Sequence, residues 1–200
     1  RNAVPLRDLD GDASLALRLR KAGYSTGAFV TSPLVAQDLT GLPGFDTYDS
    51  PGGILRSGDS AVDAALAWLD QEPRQPVFIW LHLYDAHAPY GDASEKGIGI
   101  PLDETRYGLV DAENFASGKI PAEMKAAYRD GVQIADAALG RFIEGARQRL
   151  ADPLFIVVSD HGESLTEHVA SRQYAFDHGE YLDEETLRIP LVVTGPGVTP

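Results

Sequence analysis

Pro76-Val77-Phe78-Ile79-Trp80-Leu81-His82-Leu83-Tyr84 is a nearly continuous apolar run. It shows no alternation of polar and apolar positions, so neither face is meant for water, as in a central strand of a parallel sheet. Asp85-Ala86-His87-Ala88-Pro89-Tyr90 follows at once. A second run, Pro153-Leu154-Phe155-Ile156-Val157-Val158-Ser159, is read in the same way and gives way to Asp160-His161-Gly162-Glu163. Further strands are expected at 26–31 and 189–194. Between them lie helical patterns. Residues 10–21 place Leu15, Leu19 and Ala22 on one face, with Gly23 as the stop. Residues 57–70 carry Ser60 and Asp63 in the first turn, Val62, Ala65, Leu66 and Leu69 on the apolar face, and Pro73 beyond the end. Residues 122–150 repeat Met124, Tyr128, Ala135, Leu139, Phe142, Ala146 and Leu150 at helical spacing. Strands separated by helices predict an α/β fold, a mostly parallel sheet with helices on both faces. Residues 91–120, rich in Gly and Asp, read as an irregular loop, either part of a binding site or a surface excursion. There is no internal repeat and no clear linker, so residues 1–200 are expected to be a single domain.

The 200 residues are 44% hydrophobic and 24% charged, an ordinary globular composition. No window approaches the roughly 18 uninterrupted apolar residues of a membrane span. Arg1-Asn2-Ala3-Val4-Pro5 has neither a starting Met nor the pattern of a signal peptide, so the natural chain is expected to begin further upstream. A net charge of −13 argues against nucleic-acid or anionic-membrane binding through a broad basic surface. An anionic substrate would need a local cation, a metal or a protonated His. The absence of Cys excludes disulfide and thiolate chemistry.

Open α/β sheets bind ligands beyond the carboxyl ends of their strands. Both apolar runs end in residues that suit such a site. Asp160 and His161 offer a carboxylate oxygen and an imidazole nitrogen to a divalent metal, and Gly162 permits a sharp turn; alternatively Asp160 caps a helix and His161 packs. His87 is placed to contact an anion or protonate a leaving group, or is a satisfied loop histidine. Asp85 either orients His87 or is a turn residue. His82, inside its strand, reads as structural. The run containing Glu163, Glu167, His168, Asp177, His178, Gly179 and Glu180 offers a further ligand or anion contact, or is a solvated acidic face; the solvated reading is favoured for Glu180, Asp183, Glu184 and Glu185. There is no Gly-rich phosphate loop, no G-x-S-x-G elbow and no HExxH, and nothing marks Ser164 as a nucleophile.

Four segments resemble the sulfatase family of the alkaline phosphatase superfamily, in the family's order. They are Lys21-Ala22-Gly23-Tyr24-Ser25-Thr26-Gly27-Ala28-Phe29-Val30, Gly41-Leu42-Pro43-Gly44-Phe45-Asp46-Thr47-Tyr48, Tyr84-Asp85-Ala86-His87-Ala88-Pro89-Tyr90, and Ser159-Asp160-His161-Gly162-Glu163 with Glu167-His168, His178-Gly179 and Leu187-Arg188-Ile189-Pro190-Leu191. The resemblance implies an alkaline-phosphatase-like fold, here partial, and metal-dependent cleavage of a small-molecule or glycan sulfate ester. It implies that Asp160 and His161 hold a divalent metal (Ca²⁺, Mn²⁺ or Zn²⁺). It also implies that His87 contacts the sulfate or leaving-group oxygen, and that His178 contacts the sulfate. Arg188 would support the fold. Glu163 and His168 match family positions without a role assigned.

The chain departs from the family in having no C/S-x-P-x-R motif, the source of the formylglycine nucleophile, and no N-terminal pair of acidic ligands. A formylglycine is therefore expected upstream, and the 200 residues alone are expected to be inactive. The resemblance is compatible with a periplasmic or secreted protein. Two alternatives stand beside the sulfatase reading. One is a phosphonate or phosphodiester hydrolase, or a phosphoethanolamine transferase, of the same superfamily. The other is a non-catalytic binding module.

Overall fold

The structure, a computed structural model, describes residues 14–88, 90, 122–168, 171, 176 and 178–199. The predicted loop at 91–120, the start of the first predicted helix at 10–13, and Asp177 lie outside the described residues. Helix α1 (Leu15–Lys21) opens on Ser14, whose hydroxyl accepts the Leu17 N–H and donates to the Pro43 carbonyl at 2.9 Å. Its last turn carries Arg18, Arg20 and Lys21 against the negative end of the helix dipole. Strand β1 (Ser25–Val30) follows. A 3₁₀ turn at Pro33–Val35 and the short α2 (Gln37–Thr40) lead to β2 (Thr47–Asp49). Helix α3 (Gly58–Leu69), capped by Ser57, precedes β3 (Val77–His82). Helix α4 (Ala122–Arg149) precedes β4 (Phe155–Val158), α5 (Glu184–Leu187) and β5 (Leu191–Thr194).

The α/β class read from the sequence is the class observed. Strands β2, β1 and β3 form a parallel sheet in that order, Gly27 standing in register with both Thr47 and Ile79. Helices α3 and α4 pack together over one face. Phe29 of β1, Val62, Ala65 and Leu69 of α3, and Ala138, Phe142 and Ala146 of α4 make the core there. The opposite face carries Phe45 against Tyr48, Phe78 and Trp80, with ring centroids 5.4–6.1 Å apart. Arg141 bridges Asp59 and Asp63, and Arg149 grips Asp70 with two bonds, tying α4 to α3 at the surface. Such exposed pairs add little because water and salt screen them, whereas each buried Phe or Leu contributes roughly 1.5–3 kcal/mol, so the core decides the packing.

The second half differs from the sequence expectation. β4 and β5 pair antiparallel, in a sheet separate from the first. Only Phe155 of β4 is buried, and it joins the α3–α4 core. Ile156 and Val158 are 61% and 57% exposed, and their register partners Val193 and Leu191 are 40% and 64% exposed. Parallel pairing requires a long crossover, usually a helix. The chain returns against β4 in the opposite sense, with the four-residue α5 just before β5.

Candidate active site

The loops after β3 and β4 meet. After β3 the chain turns, with the His87 N–H donating to the Tyr84 carbonyl at 3.0 Å. Asp85 is buried, and its Oδ1 accepts the Gly58 N–H at 2.9 Å, where α3 begins. A Cβ at position 58 would come within 2.7 Å of Asp85 Oδ2, so Gly there lets the carboxylate reach the helix. Asp85 thus anchors the loop to α3, and its effect on His87 passes through the backbone. The His87 ring stacks on Tyr84, with centroids 4.1 Å apart, and its Nδ1–H donates to the Ala88 carbonyl at 2.7 Å. That bond leaves the lone pair of the neutral ring on Nε2. Burial holds the His87 pKa below its ordinary value. The Ala88 bond and the Glu163 charge pull it back up, and His178 and His161 push it further down.

After β4, the Ser159 hydroxyl donates to the His161 carbonyl, and the His161 N–H donates to Asp160 Oδ1 at 3.0 Å. His161 Nδ1–H donates to the Gly162 carbonyl at 2.8 Å, and Nε2 lies 3.7 Å from Asp160 Oδ1. Fixing one ring nitrogen by a backbone carbonyl is how metal-binding imidazoles are commonly oriented, with the other nitrogen presented to the ion. The Asp160 side chain is 82% exposed, on the open side. The Gly162 N–H donates to the Thr186 carbonyl at 2.8 Å, and any Cβ at 162 would collide with the Glu185 carbonyl oxygen. Only Gly allows the segment before α5 to lie so close beneath the Asp-His pair.

His178 completes the group. Its Nδ1 lies 3.2 and 3.3 Å from the two Glu163 carboxylate oxygens, and the Glu163 side chain is only 6% exposed. His178 stacks on His161, with centroids 3.9 Å apart and planes at 16°, and meets His87 edge-on at 4.9 Å. His87 and His161 are 6.4 Å apart. A small second core positions these rings: Tyr90 and Phe176, both buried, pack with Tyr128 and Leu165, three residues after His87 and two before His178. The four residues singled out in the sequence, His87, Asp160, His161 and His178, are therefore brought together. His82 stays within its strand, stacked toward Tyr84, and burial lowers its pKa.

Glu163, read in the sequence as a possible ligand or anion contact and as matching a family position without an assigned role, orients His178. The acidic run resolves unevenly. Glu180 and Glu184 are exposed as expected, but Asp183 and Glu185 fold onto His168, with Nε2 3.3 Å from each carboxylate. No helix among the described residues is long and apolar enough to cross a membrane.

The profile of the Sulfatase family matches residues 9–200, and the chain belongs to that family. No curated protein matches it. Among solved structures the chain is similar to the C-terminal periplasmic domain of EcEptC from Escherichia coli, with a TM-score of 0.63 and 16% identity. The match covers 91% of this chain and 51% of that one, so the chain spans about half the length of its structural relative. At that identity the likeness is one of fold, and the fold is alkaline-phosphatase-like.

Proposed function

We propose that the site takes part in metal-dependent hydrolysis of sulfate esters. The observation supporting this reading is the convergence of His87, from the loop after β3, and His178, from the segment between β4 and α5, on His161 beside Asp160. Asp160 and His161 suit a divalent cation of the Ca²⁺, Mn²⁺ or Zn²⁺ class: one carboxylate and one imidazole nitrogen on the open side, the ring fixed by the Gly162 carbonyl. Such a cation, when bound, neutralises charge on the ester oxygens and lowers the barrier to attack.

This chain's own residues do the rest. Glu163 holds the His178 ring, which in its protonated form would offer its other N–H to a sulfate oxygen. His87 enters the reaction neutral, because burial disfavours its charged form. An arriving sulfate favours the imidazolium, so His87 Nε2 gains a proton in the complex and passes it to the leaving alkoxide. The nucleophile, a formylglycine in the sulfatase reading, is not among these residues.

The test is release of nitrophenol from p-nitrophenyl sulfate by the complete gene product, with and without chelator, and with p-nitrophenyl phosphate and bis(p-nitrophenyl) phosphate in parallel. Chelator-sensitive turnover of the sulfate ester above both phosphates is the expected result. Preference for a phosphate ester would move the assignment to phosphoryl transfer. Tight ligand binding without turnover would make the chain a binding module.

A further inference from the structure

We propose that Tyr84 is a positioning residue for His87: its ring face fixes the plane of the imidazole and so the direction of Nε2. The proposal rests on the reading of His87 as the proton donor to the leaving oxygen. The two rings stack with centroids 4.1 Å apart and planes at 15°. Aromatic pairs commonly lie about 4.5–7 Å apart, so this is a close face-to-face contact. The contacts further back along β3 are wider, 5.9 Å between Trp80 and His82 and 6.2 Å between His82 and Tyr84. The tight stack is confined to the ring assigned to chemistry.

Two constraints together leave the imidazole one pose. The Nδ1–H bond to the Ala88 carbonyl, 2.7 Å long, sets which edge of the ring meets the loop. One hydrogen bond does not fix the tilt, because the ring can swing about it. The nearly parallel Tyr84 face blocks that swing. Nε2, on the other edge, is then aimed away from the loop carbonyl in a fixed direction. Proton transfer is sensitive to such aim: a misplacement of about 1 Å can cost about a hundredfold in rate. An aromatic face also accommodates the charge the imidazole carries while it holds its second proton, which an aliphatic side chain would not.

Tyr84 can hold His87 because the turn between them is clamped from behind. The His87 N–H donates to the Tyr84 carbonyl at 3.0 Å, closing a four-residue turn that brings its first and fourth side chains together. Asp85, second in the turn, is bound to the Gly58 N–H at the start of α3. Gly131 of α4 is buried against the same turn. A Cβ there would stand 2.5 Å from the Asp85 carbonyl oxygen and 3.4 Å from Ala86 Cα. Glycine inside a 28-residue helix is otherwise unfavourable, and the close approach accounts for it. The turn is thus seated on two helices, and the two rings it carries keep a fixed relation.

The test compares Tyr84→Phe and Tyr84→Leu in the complete gene product by two readouts. The first needs no turnover. Histidine-selective ¹⁵N spectra, taken where the imidazoles are neutral, should show His87 with its proton on Nδ1 in the parent and in Tyr84→Phe, and a mixture of tautomers in Tyr84→Leu. A single Nδ1–H tautomer kept in Tyr84→Leu would overturn the proposal. The second readout is kcat and KM across a series of aryl sulfates. Tyr84→Leu should lower kcat about ten- to a hundredfold for the poorest leaving group and less for better ones, with KM little changed, and Tyr84→Phe should keep most of the rate. A loss equal in both variants, or uniform across the series, would refute the role. Should Tyr84→Leu not fold, Gly131→Ala takes its place, since it displaces the turn without altering a ring. The same tautomer mixture and leaving-group pattern are expected of it, and parental behaviour would overturn the proposal. A parent that turns over no sulfate ester would sink the functional reading alone, and the tautomer comparison would still decide the role of Tyr84.

Discussion

The His161 imidazole lies face to face with that of His178, with centroids 3.9 Å apart and planes 16° from parallel. Two unit charges at that separation repel by about 4 kcal/mol at an effective dielectric of about 20. In the proposed function the stack would divide the labour, one ring giving a lone pair to a cation and the other facing an anion with Glu163 behind it. Replacing Glu163 by Gln keeps an acceptor near His178 and removes the charge. KM for a sulfate ester should then rise about tenfold, roughly the 1.4 kcal/mol of one modest charge-assisted contact, with a smaller change in kcat. Steady-state kinetics reads the split; an unchanged KM would remove Glu163 from substrate binding.

His87 is the residue assigned to the leaving group. His87→Asn should lower kcat by about 10²–10⁴-fold. The loss should shrink for substrates with better leaving groups, which need no proton. A loss uniform across a leaving-group series would count against the proton-transfer role.

Phe176 is buried, 2% exposed, and lies two residues before His178. Phe176→Ala should cost about 3–5 kcal/mol in urea denaturation. Phe176→Leu should cost less and largely keep the orientation of His178, so activity per folded molecule should separate the two variants.

Stability should fall in acid through His82. Burial holds its pKa below the ordinary 6.5, with Asp160's charge partly opposing. The unfolded chain takes up the proton near pH 6.5 while the folded chain resists, so stability is full above that pH and declines below it. The slope is at most about 1.4 kcal/mol per pH unit for this group. His82→Phe should flatten the drop in urea midpoint between about pH 8 and about pH 5.5, with chelator present throughout.

The strand ends were legible because an apolar run followed by Asp-x-His or Ser-Asp-His is a local pattern, and local patterns survive in the sequence. The exposure of β4 was not. Ile156 and Val158 read the same whether covered or bare, and nothing near them announces an antiparallel partner at 191–194. The pairings of Glu163 with His178 and of His168 with Glu185 span 15 and 17 residues. They arise from the path between β4 and β5, which no periodicity records. The acidic run near 183 resembled a solvated surface for the same reason: charge composition does not reveal which carboxylates turn inward.

His87 comes from one sheet, and Asp160, His161 and His178 come from or beyond the other; among the described residues no hydrogen-bonded ladder joins β3 to β4. What holds the two halves in register is the α3–α4 core, one buried cluster that takes in Phe29 of the first sheet, Phe142 and Ala146 of α4, and Phe155 of the second sheet. The site is thus a seam closed by a helix that supplies none of its four residues. Loosening that helix would open the seam before it unfolded either sheet, so the cation affinity proposed for Asp160 and His161 would be coupled to the packing of side chains far from the ion.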